Sequence, residues 1–246
     1  VQQFLFITDL DNTLVGDDAA MVKLMERLVE HRQKYGTKII YSTGRSLFLY
    51  KELKEEKQLP EPDILVCAVG TEIYTNNHIN QNWSKKLSPN WHRDIVEKIA
   101  KSFPELEPQP NSEQGDFKLS YYLKEKLATT IVPELEQQLQ AAQLDIQVIY
   151  SGSKDLDILP RNANKGMAMT FVRETLEIAV EKTVACGDSG NDIALFAGRK
   201  EKGIIVGNAT KELLAWHHNN HSVNRYLATG KCAAGIDEGL QFFGFL

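Results

Sequence analysis

No apolar run in this sequence approaches the roughly 20 residues that a membrane-crossing helix needs. That excludes a helical membrane protein. There is no CxxC pair either. The three cysteines, Cys67, Cys186 and Cys232, stand far apart in apolar surroundings. They read as reduced, buried thiols rather than a disulfide framework or a zinc site, and point to an intracellular compartment. A basic field is also missing. The net charge is −5 and the pI about 5.7, which argues against nucleic acid as a partner. The N-terminus has no basic segment followed by an apolar stretch and a cleavage site, so no secretory signal is expected. Internal repeats and low-complexity tracts are absent. What is present suits a globular protein: 246 residues, 42% hydrophobic and 25% charged, enough for one large domain or two modest ones.

The chain reads as strand alternating with helix at both ends. Phe4 to Thr8 is a short buried strand. Met21, Leu24, Met25, Leu28 and Val29 mark one face of a helix over 19–35, stopped by Gly36. Strands follow at Lys38–Ser42 and Ile64–Val69, with a helix over 46–57 between them. Gly70 opens a hairpin through EIY, the turn-rich TNNHIN and a further strand. The rhythm then changes. A helix is expected over 89–103, a loop, a half-exposed strand over 117–123, a helix over 130–142, and strands at 146–150 and 156–159. From Lys165 the first rhythm resumes: a helix to about Ala179, a strand at Thr183–Cys186, a helix from Asn191, a strand at Gly203–Val206, and helices from Lys211 and over 232–242. The pattern predicts an α/β fold. A Rossmann-like parallel-sheet core spans 1–84 and 161–246, and an α+β cap is inserted at 85–160.

The first strand runs into Asp9-Leu10-Asp11. Ligands of open α/β sheets bind beyond the carboxyl ends of strands, which is where this pair lies. A calcium loop of the EF-hand type is excluded, because its required Gly and Glu are replaced by Leu14 and Ala20. A plain polar turn and a phosphoryl-transfer site remain. Distant segments favour the second. Ser42-Thr43-Gly44-Arg45 offers a hydroxyl and close backbone N–H groups for a phosphate, although it also reads as an ordinary helix N-cap. Lys165 opens a helix, where a cation is unfavourable unless an anion lies nearby. Gly187-Asp188-Ser189-Gly190-Asn191-Asp192 brackets a helix entry with two carboxylates, of which capping explains one. Asp9, Asp11 and Asp188 form a hard oxygen site that suits Mg²⁺. The histidines His217, His218 and His221 read as a solvated helix end rather than a metal site.

DLDNTLVGD, STGR, the lysine of NKG and GDSGND, in that order, resemble the four motifs of the haloacid-dehalogenase-like phosphatases. The insert resembles the large α/β cap of their second type. VGTEIY, SGSKDLDILP, NKGMAM, GDSGNDIALF and IIVGNA are similar to the sucrose-phosphatase (sucrose-6-phosphate phosphohydrolase) family in its short bacterial form. The resemblance implies a Mg²⁺-dependent phosphatase acting on sucrose 6-phosphate through an aspartyl-phosphate. By the same analogy Asp9 is the nucleophile and Asp11 the general acid and base. Thr43, Gly44, Lys165 and Asn191 hold phosphate. Asp9, the backbone carbonyl of Asp11 and Asp188 bind the metal, with Asp192 orienting them. The cap is expected to read the sugar through Asn111, Gln114, Asp116, Lys118 and Lys154, with Arg45 on the core side and aromatic walls. A cytoplasmic monomer, with transient association with a sucrose-phosphate synthase, completes the implied picture. Competing readings are a phosphatase of mannosyl-glycerate phosphate or of a hexose phosphate, a phosphosugar mutase, a receiver domain, and a silent partner protein. A receiver domain is too short to need this cap, and the full set of catalytic side chains counts against silence.

Overall fold

The computed structural model describes residues 2–246. Along the chain run β1 (Leu5–Thr8), α1 (Asp18–Tyr35), β2 (Lys38–Ser42), α2 (Leu47–Lys57), β3 (Ile64–Cys67), β4 (Glu72–Thr75), β5 (His78–Ile79) and α3 (Gln81–Leu87). The insert contributes α4 (Arg93–Ala100), β6 (Glu107–Pro108), β7 (Leu119–Tyr122), α5 (Glu125–Ala141), β8 (Ile146–Ser151) and β9 (Asp155–Pro160). The chain then returns through α6 (Lys165–Thr175), β10 (Thr183–Gly187), α7 (Ile193–Phe196), β11 (Lys202–Ile205), α8 (Lys211–Asn219), β12 (Arg225–Leu227) and α9 (Cys232–Phe242).

The core sheet has eight strands in the order β12-β11-β10-β1-β2-β3-β4-β5. Six are parallel and the β4–β5 hairpin is antiparallel. Helices cover both faces because the central strands are apolar on both sides. On one face Met21, Leu24 and Leu28 of α1, Leu53 of α2 and Ile236 and Leu240 of α9 pack against Phe4, Phe6 and Ile39. On the other, Trp83 of α3, Met169 and Val172 of α6 and Leu213 of α8 pack against Leu5, Ile7 and Ile40. Each such buried side chain contributes about 1.5–3 kcal/mol of burial. The chain leaves β1 toward β2 and later returns to β10 on its other side, so β1 lies at the topological switch point.

The insert is a second layer with its own sheet, β6-β7-β9-β8, and its own core around Val96, Leu119, Leu135, Leu139 and Ile158. The expected boundary at 84/85 falls inside α3. Trp83 and Leu87 of that helix both pack in the main core.

Several elements differ from the sequence expectation. The strand expected after TNNHIN is instead α3, because the Asn80 side chain accepts the N–H groups of Asn82 and Trp83 and starts a helix. The helix expected from 130 begins at Glu125 and runs through Pro133, which lacks the N–H that would reach the Thr129 carbonyl. Such a proline costs about 3 kcal/mol; burial of Ile131, Leu135 and Leu139 outweighs it. The helix expected over 89–103 is cut to Arg93–Ala100, since Asn90 takes a left-handed conformation and turns the chain. The helix expected from Asn191 is a tight turn at 190–192 followed by the short α7, ended at Gly198 with φ +67°. The edge strand β12 has only three residues and left no clear periodic signal.

Candidate active site

Three loops meet beyond the carboxyl ends of β1, β2 and β10, together with the start of α6. Asp9 continues β1, and its N–H donates to the Cys186 carbonyl at 3.0 Å, which ties the first acidic loop to β10. The Lys165 ammonium sits between two carboxylates, 2.7 Å from Asp9 Oδ1 and 2.7 Å from Asp192 Oδ1. Lys165 is fully buried at the start of α6, where Asn164 caps the helix by accepting the Met167 N–H. Gly70 lets α6 approach this closely. It has φ +96°, and a Cβ there would stand 2.4 Å from the Asn164 carbonyl carbon.

Asp192 has both oxygens engaged. Oδ1 accepts from Lys165, and Oδ2 accepts the N–H groups of Asp188 and Ser189 at 3.0 Å each. It therefore holds the loop and the lysine. Thr13 Oγ1 lies 2.9 Å from Asp188 Oδ1 and 3.4 Å from Asp9 Oδ2, bridging the two remaining acids. One carboxylate oxygen each from Asp9, Asp188 and Asp192 lies within 4.8 Å of the others, and all three residues are buried.

This arrangement is electrostatically incomplete. Three buried carboxylates face one ammonium. Burial pushes the Asp9 carboxyl well above its ordinary value; Lys165 pulls it down, and Asp192 and Asp188 push it up again. Burial and then the Asp192 charge push Asp188 up to about 6, against the Thr13 hydrogen bond. Burial works against the Lys165 charge, but Asp192 and Asp9 outweigh it and raise its pKa. A hard divalent cation held by Asp9 and Asp188 would neutralise the excess, and an all-oxygen donor set is the one Mg²⁺ prefers. The residues therefore fit Mg²⁺. The Asp11 carboxylate is not among the three clustered acids; it pairs with Arg45 instead.

The sign of the pH dependence follows. Metal-free folded protein retains protons on Asp9 and Asp188 that the unfolded chain has already released. The Asp188 part of this contribution to stability is therefore lost as pH rises from about 4 to about 6, and the Asp9 part is lost as pH rises through its own raised value. Mg²⁺ relieves the penalty only where the acids are ionised. We expect saturating Mg²⁺ to raise Tm by about 5–10 °C near pH 7.5, from ~2.7 kcal/mol at a hundredfold excess over Kd and ~2–4 °C per kcal/mol. Near pH 5 the shift should be about half or less. Differential scanning fluorimetry at both pH values checks this, and a shift independent of pH would contradict it.

The remaining expected residues divide clearly. Gly44 and Asn191 line the cleft above Asp9, with Asn191 Nδ2 3.6 Å from where a Gly44 Cβ would stand. Thr43 is fully buried beneath it; its Oγ1 accepts the Arg45 N–H at 3.1 Å, and its own proton stays free to donate. Arg45 grips Asp11 with two parallel bonds, Nε to Oδ2 and Nη2 to Oδ1, each 2.8 Å.

The cap forms the opposite wall of a cavity of about 440 Å³, within the usual range for small-molecule sites. Lys118 and Lys154 line it, whereas Asn111, Gln114 and Asp116 do not. Asn111 and Asp116 are exposed outside the cavity. Gln114 is spent on the cap's own backbone: its Nε2 donates to the carbonyls of Gln109 and Ser120, and its Oε1 accepts the Ser120 N–H. Among the cleft residues outside the expected set are Gln109, Glu113, Tyr122, Asp155 and Asp157. The signal for two of them was readable. In DLDIL the acids alternate with Leu156 and Ile158, so one face of β9 is apolar and buried while Asp155 and Asp157 share the other. Lys118 Nζ lies 2.7 Å from Ser120 Oγ and 3.3 Å from Asp157 Oδ1, a buried polar network at the cavity wall. Tyr121 packs into the cap core, and its neighbour Tyr122 faces the cleft.

The histidines lie apart from this cleft. His217 Nδ1 accepts the Arg225 Nε–H at 2.8 Å, which pins the end of α8 to β12. The three cysteines are free and buried. Among the described residues no helix is long and apolar enough to cross a membrane.

Sheet order, the point of insertion and the acidic loops at the switch point put the chain in the haloacid-dehalogenase-like superfamily. Within it the chain belongs to the sucrose-6F-phosphate phosphohydrolase family, whose model matches residues 2–244. It is 39% identical over 251 residues to a probable sucrose-phosphatase 2 of Arabidopsis thaliana, covering 98% of this chain and 60% of that protein. The chain thus spans about three fifths of the length of the plant relatives it matches. A mannosylfructose-phosphate phosphatase of Agrobacterium fabrum is 32% identical, with 98% of this chain and 96% of the relative covered. The crystal structure of a Synechocystis sucrose-phosphatase in complex with sucrose and phosphate is 39% identical, with a TM-score of 0.93 over 99% of each chain.

Proposed function

We propose that this protein is a Mg²⁺-dependent phosphatase that hydrolyses sucrose 6-phosphate through an aspartyl-phosphate on Asp9. The observation that carries the reading is the buried Asp9–Lys165–Asp192 contact beside Asp188, at the floor of a cavity walled by a polar cap sheet. A nucleophilic carboxylate held by an ammonium splits a difficult displacement into two easier ones.

Asp9 attacks phosphorus. The backbone N–H of Gly44, the Thr43 hydroxyl, Asn191 and the Lys165 ammonium hold the equatorial oxygens and stabilise charge spread over them. Asp11 protonates the departing sugar oxygen, then takes the proton of the water that frees phosphate. Asp192 keeps Lys165 aimed and the second acidic loop in shape. Asp9, Asp188 and the Asp11 carbonyl would hold Mg²⁺, which would supply charge to neutralise the phosphate. On the cap, Lys118, Asp157, Gln109, Asp155 and Lys154 read sugar hydroxyls, with Tyr122 as an apolar wall. Closing the cap over the site excludes water. The same reading takes the protein as a cytoplasmic monomer that associates transiently with the synthase supplying its substrate.

One observation favours a second substrate. The Agrobacterium relative matches over nearly its whole length and carries the name of a mannosylfructose-phosphate phosphatase. Mg²⁺-dependent phosphate release from sucrose 6-phosphate and from mannosylfructose phosphate separates the two readings. We expect kcat/KM at least about a hundredfold higher for sucrose 6-phosphate, or ~2.7 kcal/mol of transition-state discrimination. The reverse preference would replace the substrate and keep the reaction.

A further inference from the structure

Arg45 pairs with a carboxylate of the core and lines the same cavity as a carboxylate of the cap. On the core side it binds both oxygens of Asp11 at 2.8 Å. On the cap side, Glu113 reaches across the cleft and accepts a hydrogen bond from Ser46 Oγ at 2.9 Å, next to Arg45 in the chain. Arg45, Asp11 and Glu113 line the same cavity, and the Glu113 charge acts on Arg45. Arg45 takes one lone pair of each Asp11 oxygen, which fixes the orientation of the carboxylate and keeps both oxygens turned toward the guanidinium, although 45% of the Asp11 side chain is exposed. Releasing Arg45 with no second anion at hand would strand a partly buried guanidinium, with 29% of its side chain exposed.

Resting on the phosphatase reading above, we propose that Glu113 is a positioning residue: when substrate fills the cleft, Glu113 takes over the Arg45 guanidinium and frees Asp11 for its two proton transfers. Ser46 holds Glu113 in place for that exchange. Glu113 therefore acts through Arg45, not by touching the sugar and not merely by latching the cap.

A double-mutant cycle on sucrose 6-phosphate turnover separates these roles. Glu113→Gln keeps an acceptor for Ser46 and removes the charge. We expect it to lower kcat about tenfold with KM within about twofold, because a lost sugar contact would raise KM instead. In an Arg45→Ala background the same substitution should change kcat less than about twofold, since the group it acts on is gone. Arg45→Lys provides a second background: an ammonium cannot bridge both Asp11 oxygens, so the cost of Glu113→Gln should again shrink. An undiminished cost in both backgrounds overturns the proposal, as does a Glu113→Gln variant with unaltered kcat. Absence of turnover in the unsubstituted protein is the separate result that overturns the phosphatase reading itself, and the proposal with it.

Discussion

Asp9→Asn lowers phosphate release by at least ~10⁴-fold, as losses of a nucleophile that works within a catalytic unit do. An amide oxygen at this position is too weak a nucleophile to open the first displacement, and no neighbouring group replaces it. Asp192 has both oxygens committed to Lys165 and to backbone N–H groups. Asp188 Oδ1 is held by the Thr13 hydroxyl. The same substitution should leave metal-free protein no less stable near neutral pH, because it removes one of three crowded buried charges. Lys165 keeps an acceptor, since the amide oxygen can stand where Asp9 Oδ1 does. Steady-state phosphate release and Tm without Mg²⁺ test both halves. Activity within about tenfold of the parent would remove Asp9 as nucleophile, and a large drop in Tm would contradict the electrostatic account.

Lys165→Ala has the opposite balance. It leaves Asp9 and Asp192 facing each other in a buried site with no cation between them. Removing one partner of a buried ion pair costs about 3–5 kcal/mol, and each kcal/mol lowers Tm by ~2–4 °C at this size. A fall in Tm of about 10 °C is therefore expected near neutral pH. The loss should shrink near pH 5, because Asp188, raised to about 6, then takes up a proton and sheds part of the repulsion. A cavity left by a neutral side chain would give a loss that does not vary with pH. Turnover should fall by about 10³-fold or more, since the ammonium that faces the transferring phosphoryl is gone. Thermal unfolding at both pH values, alongside phosphate release, measures the two effects.

The core was readable because its signals are local. Buried strands such as LFIT and KIIYS, each followed by a short polar loop, mark the switch point, and the order of the acidic loops marks the chemistry. Asp9, Lys165 and the loop carrying Asp188 and Asp192 lie far apart in sequence, yet parallel strand order brings them to one edge. The cap was less legible for a physical reason. Its polar residues are divided between lining the cleft and satisfying the cap's own backbone, and residue type does not distinguish the two uses. Gln114 and Gln109 illustrate this. Gln114 serves only the backbone. Gln109 binds Asp155 Oδ1 at 3.0 Å and lines the cleft. The pairing of Arg45 with Asp11, 34 positions apart, has no sequence signature, since it depends on how the β2–α2 loop leans over the β1 loop. The helix α5 shows the limit of propensity rules: Thr129, Thr130 and Pro133 all disfavour it, and its burial against the cap sheet decides otherwise.

The central claim is that a phosphoryl-transfer core is joined to a cap that reads a disaccharide. Its most direct test is the ratio of kcat/KM for sucrose 6-phosphate to that for glucose 6-phosphate, with Mg²⁺ present. Both substrates offer the core the same phosphate, so the ratio reports the cap. The account predicts at least about a hundredfold in favour of the disaccharide. Equal values would contradict it, leaving a general sugar phosphatase whose cap only shields the reaction from water.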